Sequence, residues 1–260
     1  MLKFCTLFSG SSGNCIYIGC DDTNILIDAG VSGIKVERAL KEIGLCIDRI
    51  DAVVVSHEHI DHVRGVGILA RRHGIDVYAT EGTWECMPSS VGDIDYCQRK
   101  GMKAGDEMVI GSITIKSFGI PHDAAEPVGF NIYGGDKRVT IATDIGCIDN
   151  EMLLNFKGSD LVLLEANHDI NMLRVGPYPY SLKRRILGDR GHLSNDRAGE
   201  VISYLLENGT RKVLLGHLSK ENNFPELAYR TVMDAVQGFK EEFTIEVAKR
   251  DSVGELVQVI

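Results

Sequence analysis

The sequence predicts an α/β fold, read as one compact domain over residues 1–260 with two packed sheets and helices outside them. Three observations carry that prediction. Short runs rich in Ile, Val, Leu and Tyr recur along the chain, each bounded by Gly, Asp, Asn or Pro, as strands are. Between some of them apolar residues return every three or four positions, the period of a helix with one buried face. No linker rich in Pro, Ser or Gly, no low-complexity stretch and no short repeat divides the chain.

The clearest strands are expected at 15–18, 24–28, 52–56, 76–79, 113–118, 128–133, 138–143, 161–165 and 212–216. Helices are expected at 34–43, 63–73, 196–207 and 225–237, with Gly44, Gly74 and Gly209 just past three of them, as helix C-caps stand. Strands come first, then a helix, more strands, and finally strand–helix alternation. A coarse break into two halves falls near residues 101–111. A hydrophobic content of 44 % over 260 residues suffices for a core without disulfide staples.

Composition excludes several classes. The seven cysteines are scattered and form no Cys-x-x-Cys pair, which argues against a thiolate zinc knuckle. The first residues lack a charged segment followed by an apolar run, so no signal peptide and no transmembrane helix are expected, and a reducing cytoplasm is the simplest compartment. A net charge of -9 argues against a protein that coats DNA nonspecifically. It leaves a nuclease open, because bound cations and a local basic patch can reverse the sign where substrate sits.

The chemistry concentrates in one run. A buried strand, 52–56, leads directly into His57-Glu58-His59-Ile60-Asp61-His62, and a helix follows. His57 and His59 share a side if the backbone is extended there. Asp61 and His62 fall on the turn into the helix and can address a second point, which suits two metal sites better than one. Imidazole and carboxylate donors suit Zn, Mn, Fe or Co. A chance polar loop is a poor explanation, since three of only eight histidines stand in six positions. His122, Asp144 and His217 are each the first strong ligand after an apolar strand. If those strands share a direction, all three project at one sheet edge, where α/β folds place sites.

These residues resemble the metallo-β-lactamase superfamily, with its His-x-His-x-Asp-His signature and later His, Asp and His ligands. The resemblance implies a four-layer αβ/βα sandwich. It implies one metal at His57, His59 and His122, another at Asp61, His62 and His217, and Asp144 bridging both. Asp28 matches the family's structural Asp beneath the site and is expected to orient a histidine ligand. Ser9-Gly-Ser-Ser-Gly-Asn14, Glu165-Ala-Asn-His168-Asp, Gly176-Pro-Tyr-Pro-Tyr180 and Arg190-Gly-His192-Leu-Ser-Asn195 together resemble the YycJ (WalJ) subgroup. That resemblance implies a cytoplasmic DNA nuclease with 5′-to-3′ exonuclease activity, two divalent ions (Zn or Mn) and a metal-bridging hydroxide as nucleophile, with Asp61 holding part of that machinery.

Proton donation to the leaving group falls to His168 or His192, which lie in the loop-rich stretch between Asp144 and His217; His73, at a helix end, reads as a cap. The alternative for each is a histidine satisfied by backbone partners. The Ser/Gly loop, with Ser11 and Asn14, could offer N–H groups and hydroxyls to an anion or be a plain turn. Arg174, Lys183, Arg184, Arg185, Arg190 and Arg197 form a basic stretch preceded by Tyr178 and Tyr180. Basic and aromatic residues together suit a single nucleic-acid strand, although a solvated helix face would look similar. Arg184, Arg185 and Asn195 join Ser11 and Asn14 as substrate-binding candidates. No membrane and no obligate protein partner is expected.

The rival is a hydrolase of a small lactone, thioester or other carbonyl substrate. A flavodiiron-type redox protein would carry Glu at position 59, a glyoxalase II a C-terminal helical region, and a tRNase Z a Gly- and Pro-rich arm. Asp144 and His217 stand 73 residues apart, too close for the insert of a β-CASP nuclease. The Tyr- and Arg-rich stretch favours nucleic acid.

Overall fold

A computed structural model describes residues 1–260, and their contacts group them into two compact units. The first comprises Met1–Gly119, Ala124–Lys137 and Lys249–Ile260, the second Ile120–Asp123 and Arg138–Ala248. No helix is long and apolar enough to cross a membrane.

In the first unit, β1 (Leu2–Phe8), β2 (Cys15–Cys20) and β3 (Thr23–Ile27) run antiparallel, with the short terminal strand Val257–Gln258 paired to β1. β4 (Ala52–Val54), β5 (Asp76–Thr80) and β6 (Arg99–Met102) extend the sheet in parallel from β3. Helices α1 (Gly33–Glu42), α2 (Ile60–Val63), α3 (Val66–His73) and α4 (Glu81–Glu85) connect them. Val36 and Leu40 of α1 and Val66 and Leu69 of α3 are buried in one cluster with Leu26 and Val53, so the helices cover one face of the sheet. β7 (Glu107–Ile110), β8 (Ile113–Gly119) and β9 (Val128–Gly134) form an antiparallel meander. The change from β6 to the meander falls within 101–111, where the sequence shows its coarse break.

The second unit is a parallel sheet of β10 (Lys137–Ala142), β11 (Leu161–Glu165), β12 (Lys212–Gly216) and β13 (Thr244–Val247). Every residue of β11 is buried, as expected of a central parallel strand. Helices α5 (Asn150–Phe156), α6 (Ile170–Val175), α7 (Tyr180–Ile186), α8 (Asn195–Glu207) and α9 (Pro225–Ala235) form the crossovers. Gly199 lets α8 approach α9: a β-carbon there would lie 2.7 Å from that of Ala235.

Two expectations change. The single helix expected at 63–73 starts at Ile60 and breaks at Arg64-Gly65, because the Gly65 N–H bonds Ala29 O at 2.7 Å instead of continuing the helical ladder. The strand expected at 52–56 ends at Val54, and Ser56 turns toward Asp28. β1 escapes the sequence pattern because nearly all of it is buried and does not alternate. Helices α4 to α7 span 5–7 residues, too short to register a helical period.

Candidate metal and hydrolytic site

In the first unit the site grows from the ends of two parallel neighbours, β3 and β4. Asp28 follows β3 in the left-handed region (φ 60°), uncommon for a residue with a side chain. Its N–H bonds Val54 O at 2.9 Å, which ties it to β4. The Asp28 carboxylate accepts the Ser56 N–H at 2.8 Å, the Ser56 hydroxyl at 2.8 Å and His62 Nδ1–H at 2.7 Å. The Ser56 hydroxyl proton is thus committed to Asp28, so its oxygen accepts from His57 Nδ1, 3.0 Å away. Both rings are thereby fixed in the Nδ1–H tautomer, in which Nε2 carries the lone pair.

The extended backbone at His59 (φ -60°, ψ 144°) brings His59 Nδ1 to 3.0 Å from His57 Nε2. Asp61 and His62 stand on the one-turn helix α2, with Asp61 Oδ2 3.6 Å from His62 Nε2. The loop carrying Ala29 and Gly30 packs against this turn: Ala29 N–H bonds His62 O, and a β-carbon on Gly30 would lie 1.6 Å from Asp61 O. Only glycine fits there.

In the second unit the ends of β10, β11 and β12 lie side by side, with Glu165 in register with Gly216. Asp144 (φ 60°) and His217 (φ 54°) both occupy the left-handed region just past their strands. Glu165 is buried and accepts His192 Nδ1–H and His217 Nδ1–H, each at 2.8 Å, together with the N–H groups of Ile145 at 2.8 Å and Leu193 at 3.1 Å. Burial alone pushes this carboxyl up, but the charge of His192 and the bonds from both imidazoles outweigh it and hold it at about 2. His192 is raised in turn: burial opposes its charge, and Glu165 overrides that. His122 donates Nδ1–H to Gly191 O at 3.1 Å, and its Nε2 lies 3.8 Å from Asp144 Oδ1. Burial lowers the pKa of His122. Asp144, Glu165, His192 and His217 offer donor atoms within 4.8 Å of one another. Glu165 already receives four hydrogen bonds, so it serves as the acceptor that orients the others.

Five imidazoles, those of His57, His62, His122, His192 and His217, therefore have Nδ1 tied to an acceptor. That is how metal-ligating histidines are held. A borderline divalent cation fits the donors of each unit taken by itself: imidazole Nε2 of His57 and His62 with the Asp61 carboxylate in the first, and imidazole Nε2 of His122 and His217 with the buried Asp144 carboxylate in the second.

The remaining candidates divide. Ser11, Arg184 and Arg185 are exposed, Arg185 in an ion pair with Asp123. Asn14, expected to contact substrate, is placed against the ligand run. It is buried; its Oδ1 accepts Gly10 N–H at 3.0 Å, and its Nδ2 lies 3.1 Å from His62 Nε2. Asn195, also expected to bind substrate, is packed against Asn223. It is fully buried and exchanges reciprocal amide bonds with Asn223 at 2.8 and 3.1 Å. His168 is buried with neither ring nitrogen hydrogen-bonded within the protein, and burial lowers its pKa to about 4. It is neutral and enclosed at neutral pH, which disfavours it as proton donor against His192. Glu165 received no role from the sequence. Its signal was available: a lone carboxylate ending an otherwise apolar strand, the same pattern that marks Asp28.

The sequence profile of the beta-lactamase superfamily domain matches residues 23–218, and the chain belongs to that family. It is 43 % identical over 234 residues to exodeoxyribonuclease WalJ of Streptococcus pneumoniae, covering 89 % of this chain and 87 % of that one. It is 39 % identical over 236 residues to exodeoxyribonuclease YycJ of Bacillus anthracis, covering 91 % and 89 %. The zinc-bound structure of PqqB from Methylobacterium extorquens superposes with a TM-score of 0.72 at 16 % identity, over 97 % of this chain and 99 % of that one. That likeness shows the metallo-β-lactamase fold expected from the sequence.

Proposed function

We propose that the protein is a cytoplasmic, divalent-metal-dependent exodeoxyribonuclease that hydrolyses DNA phosphodiesters from the 5′ end. The observation that carries the hydrolase is the set of five imidazoles held by Nδ1. DNA as substrate rests on the names of the WalJ and YycJ relatives, and the polarity on the subgroup's motifs. The family profile runs through both units, which supports their acting as one catalytic domain.

The order of ligands in the family assigns one ion to His57, His59 and His122 and the other to Asp61, His62 and His217, with Asp144 shared. Such ions, Zn or Mn, supply a water of lowered pKa and neutralise charge on the phosphate. The chain's own residues do the rest. Asp28, directly and through Ser56, and Glu165 fix the rings of His57, His62 and His217 so that their Nε2 atoms meet the site as lone pairs, whereas Glu165 favours the charged form of His192, with Nε2 protonated. His192, held by Glu165 and partly exposed, delivers a proton to the leaving oxygen from Nε2. Ser11, Arg184 and Arg185 stand where a polyanion can reach them.

A panel assay of the metal-reloaded protein tests this. Elemental analysis is expected to give about two ions per chain. 5′-labelled DNA and bis-p-nitrophenyl phosphate should be hydrolysed, and nitrocefin should not. Efficient opening of lactones or thioesters with no cleavage of DNA would replace the nuclease with a carbonyl hydrolase.

A further inference from the structure

Glu58 stands between two metal-ligand candidates and has no part in the hydrolysis proposed for them. The backbone is extended at His59, and the flanking imidazoles meet on one side, with His59 Nδ1 3.0 Å from His57 Nε2. A residue between them projects away from that side. Glu58 Oε1 accepts the Ala125 N–H at 2.8 Å, and the clusters of metal-donor atoms do not include Glu58. Its other oxygen, Oε2, is enclosed and accepts no hydrogen bond. A merely solvated glutamate keeps both oxygens in water, because enclosing a carboxylate oxygen without a partner costs free energy.

Ala125 belongs to the connection between β8 and β9, residues 120–127, which contains neither helix nor strand. The same connection carries His122, three residues before Ala125. Such a segment has no hydrogen-bond ladder of its own, so its course is set by the groups it bonds outside itself. In the first unit those bonds run to the ends of β4 and β5. Val128 N–H, at the start of β9, bonds Ser56 O at 3.0 Å. The Thr80 hydroxyl donates to Glu126 O at 2.9 Å, and Gly82 N–H donates to Glu126 Oε2 at 3.0 Å. Gly82 sits so close that a β-carbon there would lie 2.8 Å from that of Glu126. Of these fastenings, the Glu58 bond reaches farthest back along the connection toward His122.

We propose that Glu58 is a positioning residue for the ion assigned to His57, His59 and His122: its bond to Ala125 ties the connection that carries His122 to the run that carries the other two. The inference rests on the ligand assignment above and adds the link that joins its parts. His57 and His59 need no such link, because the chain itself holds them two residues apart. His122 comes 63 residues after His59, on a segment without regular structure. Were that segment loose, the ion would have to order it on binding. A segment fixed beforehand leaves more of the interaction free energy to appear as affinity.

Zinc titration of the chelator-stripped full chain, in competition with a chromophoric chelator, tests the link. Glu58→Ala is expected to weaken one of the two zinc-binding steps about 10- to 100-fold, the range for losing a group that supports a ligand. The other step should keep its parent affinity. Glu58→Gln should bind both ions as the parent does, because the amide oxygen still accepts the Ala125 N–H. Ala125→Pro, which deletes the N–H from the other side of the bond, should weaken the same step as Glu58→Ala. Exchange of the Ala125 amide hydrogen, followed by nuclear magnetic resonance, should quicken in Glu58→Ala and not in Glu58→Gln. Glu85→Ala, which removes an exposed carboxylate of α4, should change neither readout. Circular dichroism establishes that each variant is folded. Parent-like zinc affinity in folded Glu58→Ala or Ala125→Pro overturns the link. So does a loss in Glu58→Gln equal to that in Glu58→Ala, since the charge and not the hydrogen bond would then be acting. A parent protein that binds fewer than two zinc ions overturns the ligand assignment itself.

Discussion

Asp28 and Glu165 are both buried carboxylates beneath a histidine cluster, yet they hold different loads. Asp28 bonds one imidazole directly, His62, and governs His57 only through the Ser56 hydroxyl. Glu165 bonds two imidazoles, His192 and His217, and two backbone N–H groups. Chain connectivity accounts for the difference. His57, His59, Asp61 and His62 lie in one run, so an extended turn and α2 already set their spacing, and Asp28 has only tautomers to fix. Asp144, His192 and His217 arrive on separate segments, and a shared acceptor has to gather them. The left-handed positions shift accordingly. In the first unit the acceptor Asp28 adopts that conformation; in the second it is Asp144 and His217 themselves, each in a conformation costing of order 1 kcal/mol or more.

The largest expected effect probes the contiguous run. Asp61→Ala should reduce hydrolysis of every substrate by roughly 10²-fold or more while the circular dichroism spectrum is preserved, because the Asp61 side chain is partly exposed at the start of α2 and takes no part in the apolar core. Near-normal turnover in a folded variant would remove Asp61 from the machinery.

Next comes the shared acceptor. Glu165→Gln keeps the shape but puts an amide donor against groups that all donate. A loss of about 10²-fold in bis-aryl phosphate hydrolysis, with weaker metal retention by titration, is expected. A loss no greater than that of Asp28→Asn would break the contrast between the two carboxylates.

His168 gives a third, pH-dependent effect. Its folded-state pKa of about 4 lies below the ordinary 6.5, so the unfolded chain takes up the proton first. Its contribution to stability is complete above pH 6.5 and is lost as pH falls toward 4. Urea unfolding of the parent should lose about 2 kcal/mol between neutral pH and about pH 5 from this group. His168→Gln should not show that component. Parallel declines in the two proteins would mean that His168 is not a neutral buried group.

The smallest effect is that of Asp28→Asn. It should cost about 10-fold in activity, since Asn Oδ1 can still accept from Ser56 and His62, the amide meets one backbone N–H where that of Glu165→Gln meets two donors, and α2 holds the spacing. A much larger loss would show that the run does not set its own geometry.

The sequence by itself determined the ligand-bearing run and the strands that end in ligands. His57, His59, Asp61 and His62 are neighbours in the chain, and no packing is needed to bring them together. Strands β11 and β12 are short apolar runs whose periodicity and bounding residues are local properties. The chain also displayed the family signature that the sequence profile and the relatives bear out. Only the tertiary structure decided what the isolated polar residues do. That Asn14 stands beside His62 and Asn195 against Asn223 depends on partners 28 to 48 positions away. Glu165 gained its role from His192 and His217, 27 and 52 positions distant, and burial lowers the pKa of His168. Residue type and spacing fix which groups can ligate or donate. Burial and hydrogen-bond satisfaction fix which of them do, and both are sums over neighbours that the chain order does not contain.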